Sequence, residues 1–98
     1  MTEKLKIERS GGNIFQDVGF APDEAHNLQL RSELMTRIER YVKSRGLVQA
    51  KAAQALGVTQ PRLNDLLQGK IDKFSLDALV NMLGHVGMRV EMRVKNAA

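Results

Sequence analysis

The sequence predicts a mainly α fold, a bundle of about five helices with a short C-terminal β-strand, and three observations carry this expectation. Apolar residues recur at three- and four-residue spacing from Leu30 to Leu83, the period of a helix with one buried face. Glycines and small hydroxyl residues interrupt that stretch at Gly46, Gly57, Thr59, Gly69 and Ser75, where helices stop and start. The pattern then changes to strict alternation in Met88-Arg89-Val90-Glu91-Met92-Arg93-Val94-Lys95, the period of a strand with one wet face.

In chain order, Lys4-Leu5-Lys6-Ile7-Glu8 alternates as a short half-buried strand or ordered arm would, and Ser10-Gly11-Gly12-Asn13 breaks it. Ile14, Phe15, Val18 and Phe20 form an apolar patch expected to pack on the body. Ala21-Pro22-Asp23-Glu24 reads as a helix start, with acidic residues at the positive end of the helix dipole. The first long helix is expected over about 23–45, with Asn27 as the position that admits a bend. Leu30, Leu34, Ile38, Tyr41 and Val42 make its inner face, and Gly46 caps its C-terminus. A short helix over 49–56 follows, whose Ala52 and Ala53 permit close approach of a neighbour beside Leu56, and Gly57 ends it.

Thr59 then supplies an N-cap oxygen and Pro61 sits in the first turn, where its missing N–H costs little. Leu63, Leu66 and Leu67 are the inward stripe of this helix. After Gly69, Ser75 caps a further helix with Leu76, Leu79, Val80 and Leu83 inward, stopped by Gly84 or Gly87. The chain thus divides into an arm and patch (1–22), a helical body (23–85) and a terminal strand (86–98) that can serve in dimerisation.

Composition bounds what this body can do. The 98 residues, 43% of them apolar, suffice for one domain with a modest core. There is no cysteine, so neither disulfides nor thiolate metal sites are available. No apolar run approaches the ~20 residues of a membrane span, and MTEKLKIERS lacks the apolar segment of a signal peptide; a cytoplasmic protein without membrane association is expected. The net charge of +4 is unevenly placed: residues 1–36 carry −2, 37–73 carry +5 and 74–98 carry +1. Clustered positive charge attracts a polyanion such as DNA, although a solvated basic helix face gives the same count.

Geometry adds the missing direction. A short helix, a turn at Gly57 and a second helix with a polar outer face is the arrangement of a helix-turn-helix, whose second helix enters the DNA major groove. At about 100° per residue, Pro61, Asp65 and Gln68 lie opposite the leucine stripe, flanked by Gln60, Arg62 and Asn64. Gln and Asn can pair with adenine through two hydrogen bonds, and Arg with guanine. Asp65 is at odds with this face, because a carboxylate repels phosphate unless it accepts from a cytosine amino group.

The stretch QAKAAQALGVTQPRLNDLLQGK, residues 49–70, resembles the core of the Cro/cI-type (XRE) helix-turn-helix regulators: an opening Gln, paired alanines, a Leu-Gly-Val turn, Thr-Gln after it and a closing Gly-Lys. The flanks SGGNIFQDVGF (10–20) and FSLDAL (74–79), with the terminal strand, resemble a compact antitoxin-like subfamily often encoded beside a ribonuclease-like toxin. The resemblance implies a lambda-repressor-like helix-turn-helix bundle. It further implies that Gln49 bonds a DNA phosphate from the start of its helix, and that Thr59, Gln60, Pro61, Arg62 and Asn64 form the reading end, with Gln60 and Arg62 touching bases. Lys70 follows as a backbone contact.

Each of these residues also has an ordinary reading. Gln49 can be a solvated cap residue, Gln60 and Arg62 surface helix residues, and Lys70 a loop lysine. Met88, Val90, Met92 and Val94 read as packing residues, and His26 and His85 have no partner at metal-ligand spacing. No nucleophile–base order, carboxylate pair or phosphate-cradling glycine loop is present, so no enzyme, cofactor or metal is expected. One recognition helix covers only a few base pairs, so a homodimer on a pseudo-palindromic operator in double-stranded DNA is expected, repressing its own operon. The alternative is a protein-binding module that masks a small toxin through the 14–20 patch or the arm, with DNA binding secondary.

Overall fold

The computed structural model describes Phe15 and residues 18–96. Four α-helices and one 3-10 turn span the body: α1 (Pro22–Arg45), α2 (Gln49–Leu56), α3 (Gln60–Leu67), the 3-10 turn (Ile71–Lys73) and α4 (Leu76–His85). The expectation of about five helices is corrected to four α-helices over this span. Residues 68–75 between α3 and α4 hold only the 3-10 turn, flanked by Gly69 at φ 78° and by the extended backbone at Phe74 and Ser75.

Helix α1 begins on Pro22 with Asp23 and Glu24 in its first turn, and ends on Gly46 in the left-handed conformation with its N–H bonded to the Lys43 carbonyl. It runs without a break at Asn27, whose Oδ1 accepts from Arg31 Nε at 2.8 Å. Leu34, Met35, Ile38, Tyr41 and Val42 enter one core with Ala52, Ala53, Leu56, Leu63, Leu66, Phe74, Leu79, Met82 and Leu83. The closest neighbours are α2 with α3, and α1 with α4. Leu67, Leu76 and Val80 are half-buried at the edges of this core rather than inside it, and Leu30 is half-buried without joining it. Full burial of a leucine such as Leu63 contributes about 2 kcal/mol.

The predicted C-terminal strand is a second correction. Residues 88–96 follow α4 without strand pairing among the described residues. A strand exists only against a partner, and the alternating segment finds none in this part of the chain. The expected strand over 4–8, the break at 10–13 and Ile14 lie outside the described residues. Of the patch, Phe15 is half-buried and meets Phe20 edge-on at 6.3 Å between ring centroids, while Val18 and Phe20 remain exposed.

Candidate nucleic-acid interface

Helices α2 and α3 and the turn between them hold all the residues that sequence singles out except Lys70, and local chemistry fixes each part. Ala52 and Ala53 are fully buried, and their small side chains let α3 lie close against α2. Gly57 turns the chain at φ 75°, its N–H reaching the Gln54 carbonyl at 3.2 Å. A side chain is excluded there for a second reason: a Cβ would lie 2.8 Å from His85 Nε2. His85 is held by a hydrogen bond of its Nδ1 to the Asn81 carbonyl at 2.8 Å. Thr59, extended, accepts the Arg62 N–H on its hydroxyl at 3.3 Å and so caps α3, with Pro61 in the first turn.

This start sets the rotation of α3. Leu63 and Leu66 point into the core, while Gln60, Pro61 and Gln68 are exposed and Arg62, Asn64 and Asp65 are half-buried. Gln49, first residue of α2, donates from Nε2 to Asn64 Oδ1 at 3.3 Å. The two helices are thus joined through side chains at the edge of the polar face, and Asn64 keeps its Nδ2 hydrogens for other acceptors.

Arg62 takes a different position from its neighbours. Its guanidinium lies 4.4 Å from the centroid of the Phe74 ring, which is itself fully buried. The backbone that carries the ring is bound by Arg31, whose Nη1 donates to the carbonyls of Ile71 and Phe74, each at 3.3 Å. Arg31 was not marked by sequence reasoning, and Phe74 entered only within the FSLDAL resemblance, with no role at this face. The pattern offered one unused signal, a large aromatic immediately before a Ser cap.

Asp65 resolves the anomaly of its sign. Its carboxylate accepts from Lys70 Nζ at 3.2 Å and from Lys73 Nζ at 3.4 Å. The hydrogen bond from Lys70 is the main cause that lowers its pKa below the ordinary 3.8; partial desolvation opposes the shift, and the charges of Lys70 and Lys73 add to it. The cluster carries a net charge of +1 rather than −1 at this corner of the face. The lysines are about half exposed and remain within reach of solvent anions.

A short helix, a left-handed glycine turn and a capped second helix with its polar side outward define a helix-turn-helix. The comparison with known families agrees: a model described as a helix-turn-helix domain matches residues 14–95, and the chain belongs to that family. No curated protein matches the chain. Among the described residues no group of three or more His, Asp or Glu side chains could hold a metal ion, and no helix is long and apolar enough to cross a membrane.

Proposed function

We propose that this protein is a sequence-specific DNA-binding regulator of the Cro/cI type, non-enzymatic and cytoplasmic, acting as a homodimeric repressor of its own operon. The observation that carries the reading is the outer face of α3, polar along its length and tied by the Gln49–Asn64 bond to the start of α2. Gln60 and Asn64 face the groove floor, where each good two-bond pairing with a base discriminates by about 1–3 kcal/mol. Gln49, Thr59 and Lys70 meet phosphates, and Pro61 holds the first turn open for close approach. Arg62 reaches DNA from its stacked position on Phe74. A reporter gene behind the DNA upstream of this reading frame tests the role: expression falls when the protein is supplied and recovers with Gln60→Ala/Asn64→Ala. Expression indifferent to the wild-type protein would exclude repression.

An antitoxin role extends the same reading. It is supported by the resemblance of the flanks and by the exposure of Val18 and Phe20, 68% and 40%, which leaves apolar surface outside α3 for a protein partner. Co-purification with the product of an adjacent reading frame, lost on Val18→Asp/Phe20→Asp while DNA binding persists, is the expected result. Retention of that product by the variant would remove this surface from the account.

A further inference from the structure

Helix α3 carries two edges of different chemistry. Gln60 and Asn64 lie about 40° apart around its axis, and Arg62, two residues from each, lies about 160° from both. Asp65, three residues beyond Arg62, shares the Arg62 side and gathers Lys70 and Lys73 there. Asp72 is exposed on the same 3-10 turn and pairs with none of these cations. One edge is therefore made of neutral amides, and the other is cationic.

Arg62 is held differently from the two lysines. Its guanidinium lies 4.4 Å from the centroid of the Phe74 ring, and among the described residues it has no hydrogen-bond or ion-pair partner. Asp65 stands at helical pairing distance from it but is occupied by the lysines. A ring meets a guanidinium through its π face and leaves the N–H fork available to a pair of acceptor oxygens. Phe74 gives the cation a fixed seat, since the ring is 1% exposed and Arg31, itself bonded to Asn27, binds the backbone of Phe74 to α1. Guanine and phosphate both accept from such a fork, and the edge decides between them. Phosphates line the walls of the major groove, and a helix whose amide edge meets bases turns its opposite edge toward a wall.

We propose that Phe74 is a positioning residue that holds Arg62 against the sugar–phosphate backbone at one wall of the groove, so that Arg62 supplies affinity common to all sequences rather than base readout. This rests on the DNA-binding reading above and differs from the base contact that the family resemblance implies for Arg62.

Anisotropy titrations of the upstream and scrambled duplexes over a range of salt concentrations test the assignment. Arg62→Gln lowers affinity for both duplexes by the same factor, about tenfold near 0.1 M salt, and reduces the salt slope by about one. Phe74→Leu keeps an apolar side chain in the core, weakens both about threefold and adds nothing in the Arg62→Gln background, with far-UV circular dichroism confirming the helices of each variant. Nuclear magnetic resonance of the wild type reads the seat without any substitution: Arg62 side-chain protons are shifted upfield by the Phe74 ring and keep their Overhauser contacts to it in the DNA complex. A loss confined to the upstream duplex with an unchanged slope makes Arg62 a base reader and overturns the assignment, as does an Arg62→Gln variant that binds both duplexes like the wild type. Loss of the Overhauser contacts in the complex, or additive effects of the two substitutions, overturns the role of Phe74. Equal affinity of the wild type for both duplexes contradicts sequence-specific reading yet leaves the uniform, salt-dependent loss in Arg62→Gln as the expected result. A wild type that binds neither duplex removes the DNA-binding reading, and the assignment with it.

Discussion

Asp65 stands where a carboxylate should weaken attraction to DNA, and its two lysine partners show how the opposing sign is accommodated. Bonded to Lys70 and Lys73, it fixes two flexible cations at the end of α3 and halves their combined charge. Asp65→Asn releases both, and the expected outcome is stronger binding to scrambled DNA with a salt slope steeper by about one. Anisotropy titrations at several salt concentrations measure both; an unchanged slope would contradict the clamp. The same contact has a pH signature. The folded pKa lies below the unfolded one, so the stabilisation is complete above the unfolded value near 3.8 and is lost as pH falls through the lower, folded value. Thermal melts of the wild type therefore lose stability more steeply than those of Asp65→Asn below about pH 4. The sequence marked Asp65 as a conflict without its answer, because Lys73 lies eight residues away beyond the end of the helix, outside helical spacing.

At the scale of elements, the ends of the helices were legible because caps act within a few residues. Gly46, Gly57, Thr59 and Ser75 all cap where the sequence placed them. The two helix-ending glycines differ in one respect that sequence does not show. Gly46 has open space where a Cβ would go, whereas Gly57 abuts His85. Gly46→Ala should cost about 1 kcal/mol of left-handed strain, and Gly57→Ala about 2–3 kcal/mol because the His85 ring must also leave the Asn81 carbonyl. Urea unfolding separates the two; equal costs would show that His85 yields freely. The terminal strand was misassigned within the single chain for the complementary reason: alternation reports a face, and pairing depends on a partner that a local pattern does not name.

At the scale of the whole molecule, the basic excess, the order of helices and the polar face of α3 were all readable from the middle of the sequence. What joins that face to the rest was not. Arg31 reaches Ile71 and Phe74 across 40 and 43 residues, and Phe74 underlies Arg62 from outside the helix that carries it. Such contacts depend on packing between distant segments, and no spacing rule announces them. The family match agrees with the helix-turn-helix and leaves to measurement whether α3 reads DNA.

That measurement is fluorescence anisotropy on a duplex from immediately upstream of the reading frame against a scrambled duplex, for the wild type and for Gln60→Ala/Asn64→Ala. The account predicts at least a hundredfold preference of the wild type for the upstream duplex, reduced at least tenfold in the variant, on the order of what two lost base contacts remove. Equal affinity of the wild type for both duplexes, falling together with salt, would contradict it and leave only attraction between a basic surface and phosphate.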